Sequence, residues 1–181
     1  DHRGTRRRPR GRNGSAAVSA LARPGAALRA MTVSDLDAVM AIEAGAYSFP
    51  WTRGNFIDSL AAGYLALVLA APQDGIVGYL VAMAGVDEMH LLNLTVAPGW
   101  QRRGLARELL DALEARCRAD GLSMLWLEVR HSNERARALY ARRGFAEVGL
   151  RRGYYPAPLS KREDAVVMSL RVQPEAGDAL E

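Results

Sequence analysis

Gln101-Arg102-Arg103-Gly104-Leu105-Ala106-Arg107 is a short basic loop that runs straight into a helix. Leu105, Leu109, Leu113 and Cys117 follow at four-residue steps, with Glu108, Asp111 and Glu114 to the side. That is the spacing of an amphipathic helix, and Gly121 ends it. The first N–H groups of a helix have no partner inside it and lie at the positive end of its dipole. A loop of small and basic residues at that point reads as an anion site. Gly104 lets the backbone approach a phosphate closely, Ala106 is small enough to do nearly the same, and Arg102, Arg103 and Arg107 add charge. The same residues also suit a solvated basic turn. The loop lacks the Gly-Lys-Ser/Thr of a Walker loop, and it follows an antiparallel meander rather than opening a βαβ unit, so it is not a dinucleotide fingerprint.

Upstream, residues 26–31 read as a first strand and Thr32 as the cap of a helix carrying Leu36, Val39, Met40 and Ile42 to about Tyr47. Phe49-Pro50-Trp51 breaks it, and Thr52 caps a second short helix with Phe56, Ile57 and Leu60 on its apolar side. Residues 64–71, 76–84 and 89–96 read as three strands of a meander. Downstream come a buried strand at 124–129, a helix from Asn133 to Arg143, and closing strands at 145–150 and 165–172. The order is mixed α/β, without repeats.

The chain has 181 residues, 49% of them hydrophobic, and a net charge of +4. The length fits one domain with tails. Its charge is unevenly placed. Residues 1–31 hold eight Arg against one Asp, a net +7, whereas residues 32–181 hold 16 basic and 19 acidic residues, a net −3. The expected body is therefore mildly acidic, which argues against a nucleic-acid-binding domain. We expect residues 1–25 to be a disordered Arg-rich tail, 26–172 the domain and 173–181 a short C-terminal tail. An Arg-rich start also resembles a transit peptide, but its Pro and Gly residues oppose the amphipathic helix such a signal needs. Met31 invites reading as a start, although a chain beginning there would lose the first strand. No apolar run reaches the roughly 18 residues of a membrane-spanning helix, and no signal-peptide core is seen. The expected location is the cytoplasm, with no membrane partner. Cys117 is the single cysteine, and His2, His90 and His131 lack ligand spacing, so neither disulfides nor a metal are expected.

The segment 101–106 resembles the acetyl-CoA pyrophosphate motif of the GNAT superfamily of N-acetyltransferases. Asn93-Leu94-Thr95-Val96, Leu127-Glu128-Val129-Arg130, Ser132-Asn133, Ala138-Leu139-Tyr140 and Arg143-Gly144-Phe145 follow the family's order and spacing over about 26–172. Within the superfamily the chain is similar to the RimI-type ribosomal-protein-alanine N-acetyltransferases. The sharper features are Phe49-Pro50-Trp51, Trp126-Leu127-Glu128-Val129-Arg130, Gly153-Tyr154-Tyr155-Pro156 and Arg162-Glu163-Asp164-Ala165. Gly153 stands where that subfamily usually has Asn. The resemblance implies a GNAT fold, a mostly antiparallel mixed sheet flanked by about four helices.

It also implies direct transfer of acetyl from acetyl-CoA, as co-substrate and without a metal, to a protein N-terminal amine, that of a small-subunit ribosomal protein. Glu128 is the expected base and Tyr140 the expected acid. Read from the residues alone, Glu128 is either a costly charge in an apolar strand or a solvent-facing residue, and Tyr140 is part of a plain core stripe with Ala136 and Leu139. Leu94, Thr95, Val96, Arg102, Arg103, Gly104, Leu105, Ala106, Arg107 and Asn133 are the residues expected at acetyl-CoA. A bulge near Asn93 would turn backbone donors toward it. The aromatic–proline segments either wall a peptide groove or anchor loops, and Glu43, Asp87 and Glu88 are expected to form an acidic rim for a basic acceptor. The alternatives are the same fold acting on a small amine or protein lysine, and a module that binds nucleic acid through its Arg tail. Apart from contacts by that tail, no nucleic-acid partner is expected.

Overall fold

Alternation along residues 88–96 sets the middle of the molecule. Met89, Leu91, Asn93 and Thr95 are buried and their neighbours are less so. In the computed structural model, which describes residues 25–174, this segment is strand β4 (Glu88–Val96) of a seven-stranded sheet. The other strands are β1 (Ala27–Ala30), β2 (Leu65–Ala71), β3 (Gly75–Ala84), β5 (Met124–Arg130), β6 (Ala146–Pro156) and β7 (Arg162–Arg171). Their order is β1-β2-β3-β4-β5-β7-β6, with β4 and β5 parallel and every other neighbouring pair antiparallel. The expectations for residues 1–24 and 175–181 lie outside the described residues. Among the described residues no helix is long and apolar enough to cross a membrane.

Two helices cover each face. Helices α1 (Leu36–Ala46) and α2 (Arg53–Ala61) bury Leu36, Val39 and Phe56 against Val68, Tyr79 and Val81. Helices α3 (Leu105–Ala119) and α4 (Glu134–Arg143) bury Leu109, Leu110, Leu113 and Tyr140 against Leu80, Leu91, Leu127 and Met168. The bulge expected near Asn93 is present. The β3–β4 register slips between Val81 and Ala82, so Val81 faces Asn93, Ala82 faces Leu91, and Leu92 is the extra residue. The slip inverts the alternation. Met89 and Leu91 below it and Leu94 and Val96 above it all pack toward α3 and α4, while Leu92 packs toward α1 and α2.

The closing strands run further than expected. β6 reaches Pro156 and β7 starts at Arg162, so Tyr154-Tyr155-Pro156 lies on a strand and not in a loop. The missed length is explained by the register, which breaks between Arg151 and Tyr155. A strand interrupted by a bulge loses its two-residue periodicity. Gly153 sits in that break at φ +57°, donates its N–H to Asp164 Oδ1 at 2.7 Å and accepts Arg162 Nε at 2.9 Å. Gly and Asn are the residues that enter this left-handed region readily, so Gly in place of the subfamily's Asn preserves the bend.

The first strand is tied to the start of the helical segment after it by charge. Arg29 donates both guanidinium nitrogens to Asp35 at 2.8 Å, and Thr32 N–H donates to the same carboxylate at 2.8 Å. These bonds, the Arg29 fork first, hold the Asp35 carboxyl down to about 2. A carboxyl whose pKa is depressed by folding stabilises the fold above its unfolded pKa and loses that contribution as pH falls through the folded one. Arg29→Ala is therefore expected to unfold at lower urea than the parent at pH 6. The gap should shrink between about pH 4 and pH 2, the span from the free carboxyl value to the folded one. A gap independent of pH would show that Arg29 acts through packing alone.

Candidate active site

Strands β4 and β5 pair only from Glu88–Met124 to Leu91–Leu127 and then part. Beyond that point the side of β4 that faced β5 carries backbone groups with no strand beside them. The Leu94 carbonyl accepts the Tyr47 hydroxyl at 3.2 Å, and the Val96 carbonyl accepts Gln101 Nε2 at 3.2 Å. A strand residue sends its N–H and C=O to the same side, so the Leu94 and Val96 amides face this gap as well. Gln101 is braced in turn by Arg135 Nη1 at 2.9 Å, which links the loop before α3 to the start of α4.

The gap opens into a cavity of about 750 Å³. Of the residues expected at a cofactor, Leu94, Thr95, Val96, Arg102, Gly104, Leu105, Ala106, Arg107 and Asn133 line it together, as does the expected acid Tyr140. Gly104 caps α3 at φ +82°, and no side chain caps the first N–H groups of that helix. They are left available to an anion. Arg103 is not among the lining residues, because its guanidinium stacks 4.7 Å from the Trp100 ring. Asn133 accepts the Ala136 N–H at 3.1 Å as the cap of α4, so its carbonyl oxygen is already engaged. Tyr140 packs edge-on against Phe145, and burial, followed by the neighbouring Tyr47 and Tyr155, pushes its phenol above the ordinary range. Cys117 is on the buried face of α3 and its thiol is pushed up to about 11, chiefly by burial. It is a packing residue and not a nucleophile.

Glu128, the expected base, is not among the residues lining that cavity; it follows the last β4–β5 pair directly and points to the opposite face of the sheet. Leu125, Leu127 and Val129 pack toward α3 and α4, which turns Trp126, Glu128 and Arg130 toward α1 and α2. The Glu128 side chain is 5% exposed. Its Oε2 bonds His90 Nε2, a contact that the sequence reading missed. His90 stacks on Trp126 at 3.8 Å, directly across the β4–β5 pair. Only the register of that parallel pair brings the two together, and nothing along the chain announces it. Glu128 Oε1 is buried without a hydrogen bond, and so is Trp126 Nε1. A buried polar atom without a hydrogen bond costs about 1–3 kcal/mol, and at Glu128 Oε1 the charge of Arg151, whose Nε lies 3.3 Å away, stands in for one. Tyr155 is close enough for the Glu128 charge to add to the burial that raises its phenol.

The acidic rim is not formed as expected. Asp87 and Glu88 are exposed, but Glu43 is 1% exposed and fully engaged. It accepts Trp51 N–H at 3.0 Å, Asn93 Nδ2 and the Tyr79 hydroxyl. The network continues from Thr95 Oγ1 to Asn93 Oδ1 at 2.8 Å, and Thr95 Oγ1 and the Tyr47 hydroxyl share a hydrogen bond at 2.7 Å. It pins Trp51 and the strand above the bulge in one place. Trp51 packs on Phe56 and serves as a loop anchor. Phe49 remains exposed and meets Arg130, whose guanidinium also lies over Tyr155 at 4.5 Å. Arg130 is paired with Glu163, so the cation set against Glu128 is Arg151. Tyr47, at the end of α1, was also missed; a lone aromatic after a helix carries no sign of its partner 48 residues away.

Removing one donor from the buried Glu43 carboxylate tests this network. Tyr79→Phe keeps the ring and deletes one bond to a charged group, worth about 1.5–3 kcal/mol. Urea unfolding should show a loss of that size; a change below about 0.5 kcal/mol would mean that Trp51 and Asn93 alone satisfy the carboxylate.

The chain is similar to known proteins in sequence and in fold. The profile of the acetyltransferase (GNAT) family matches residues 36–145. A Haemophilus ducreyi protein named [ribosomal protein bS18]-alanine N-acetyltransferase is 40% identical over 136 residues, covering 75% of this chain and 93% of its own length. Its namesake from Salmonella typhimurium is 40% identical over 142 residues, covering 78% and 95%. The crystal structure of the ribosomal-protein-S18-alanine N-acetyltransferase from Escherichia coli superposes with a TM-score of 0.75 at 37% identity, over 86% of this chain and 98% of that one.

Proposed function

The chain belongs to the acetyltransferase (GNAT) family, and we propose that it acetylates the N-terminal alanine of ribosomal protein S18 in the cytoplasm, using acetyl-CoA. The observation that carries this reading is the gap between β4 and β5, with a carboxylate on one face and a phenol on the other. Residues 26–172 are the catalytic unit. The acceptor is taken from relatives 38–40% identical over more than nine-tenths of their length.

The cavity fits acetyl-CoA. The uncapped N–H groups of α3, with Arg102 and Arg107, hold the pyrophosphate, and the Leu94 and Val96 edge of β4 pairs with the pantetheine amides as an added strand would. Asn133 adds a polar contact beside them, and Arg103 contributes charge from outside the lining. Acetyl-CoA supplies the thioester that the amine attacks. Glu128 takes a proton from the acceptor amine, directly or through water, while His90 orients its other oxygen. An α-amino group with a pKa near 8 is already partly neutral at pH 7, unlike a lysine near 10.4, so one carboxylate suffices. Tyr140, kept protonated by burial, is the donor to the departing sulfur. The carbon–nitrogen bond forms as the carbon–sulfur bond breaks; an acceptor that arrives as ammonium releases one proton to solvent before attack, and the second, lost to Glu128, is matched by the one that Tyr140 gives to sulfur. Incubation with acetyl-CoA and an S18 N-terminal peptide, read by mass spectrometry, should add one acetyl group to the α-amine. Acetylation of a lysine or a small amine in preference would overturn the acceptor assignment.

Gly104→Asp puts a carboxylate and a Cβ at a left-handed helix cap where phosphate oxygens are to lie. Calorimetry should show acetyl-CoA binding at least tenfold weaker, about 1.4 kcal/mol; unchanged binding by the folded variant would remove the loop from the cofactor site.

Glu128→Gln should lower kcat by about 10²–10⁴ and leave acetyl-CoA binding intact. Raising the pH should partly rescue it, because the acceptor then loses its own proton. Tyr140→Phe should also lower kcat but gain nothing from higher pH, which supplies no proton to a thiolate. Wild-type kcat in Tyr140→Phe, with chemistry limiting, would make Tyr140 a core residue only.

A further inference from the structure

We propose that Arg151 is a built-in stand-in for the acceptor's α-ammonium: its guanidinium fills the cation site at Glu128 in the free enzyme and is displaced when the acceptor enters. This rests on the reading of Glu128 as the proton acceptor.

An amine that gives a proton to Glu128 has to reach it, yet that side chain is 5% exposed. His90 covers Oε2, and Arg151 Nε lies 3.3 Å from Oε1 without making a hydrogen bond to it. The Arg151 guanidinium is 5.9 Å from the Trp126 ring and 5.4 Å from the Tyr154 ring. One carboxylate and two aromatic faces form a cation site, and the protein's own arginine occupies it.

The two covering groups differ in their freedom to leave. His90 is 12% exposed and stacked on Trp126. Arg151 is 48% exposed, stands where the β6–β7 register breaks, and makes no hydrogen bond through its side chain among the described residues. The contrast with Arg130 is direct. That arginine also lies over two aromatic rings, but it donates to Pro156 O at 2.8 Å and to Glu163 at 3.1 Å and is fixed there. Arg151 is the movable member of the pair. An entering ammonium brings the same unit charge, so the exchange leaves the buried carboxylate compensated throughout, where simple removal of the arginine would strand it. The acceptor must then carry a cation compact enough to replace a guanidinium between those rings, which an N-terminal alanine does.

Steady-state kinetics of the full chain with an Ala-initiated S18 peptide at saturating acetyl-CoA test the exchange. Arg151→Gln should lower the peptide KM at least threefold, because the peptide no longer competes with a resident cation, and leave the acetyl-CoA Kd unchanged. Arg152→Gln removes the same charge from the next residue, which forms no ion pair with Glu128, and should leave the KM within about 1.5-fold. A KM that is unchanged or raised in Arg151→Gln overturns the proposal, and so does an equal fall in Arg152→Gln, which would reduce the effect to net charge. The reading of Glu128 is judged separately by the kcat of Glu128→Gln. Retained kcat there removes that reading, whereas a collapse of kcat with an unmoved Arg151→Gln KM removes only the displacement.

Discussion

Backbone pairing between β4 and β5 stops after Leu91–Leu127, and most of the functional architecture depends on that stop. A sheet satisfies its amides by neighbouring strands, so an interior strand left open in the middle of a domain needs another partner. Here the partners are side chains, Tyr47 and Gln101, together with the space in which a ligand's own amides fit. The bulge at Leu92 prepares the opening. It reverses the alternation of β4 at the level where the strands part, so that apolar side chains keep facing α3 and α4 while Asn93 and Thr95 enter a polar network below α1.

Two carboxylates on the α1/α2 face meet opposite fates. Glu43 has three donors, a backbone N–H, an amide and a phenol, and is part of the scaffold. Glu128 has one oxygen hydrogen-bonded to His90 and the other in an ion pair with Arg151 but without a hydrogen bond. Burial alone does not separate a structural acid from a reactive one; the count of satisfied lone pairs does. By that measure Glu43 is spent on the scaffold, whereas Glu128 keeps the open lone pairs that its proposed role as proton acceptor requires.

Much of this was legible in the chain. Leucine spacing after Gly104 and the Gly104 cap itself marked α3, and the meander of β2 to β4 could be read from turn residues and apolar runs, because these signals act within a few residues of one another. The residues lining the cavity were accessible for the same reason, being contiguous in the loop and in β4. What escaped depends on register and distance. His90 meets Glu128 only through a parallel pairing, Glu43 looked like a surface acid until Tyr79 and Asn93 were placed around it, and Arg103 was separated from Arg102 by the stacking surface of Trp100. The extra length of β6 hid behind a bulge for a similar reason, since a break in alternation reads as the end of a strand.

The sheet is a single layer with separate apolar clusters above and below it. The surface that would hold the thioester donor is thus built mainly from α3 and α4 and the surface that would hold the amine from α1 and α2, with the end of α1, Ala46 and Tyr47, reaching across to the donor cavity. Substitutions on α1, α2 or the bent end of β6 can alter which amine is received without disturbing the nucleotide end of the cavity. Such a layout lets natural variation, or a designer, exchange the acceptor while the acetylating half is inherited intact.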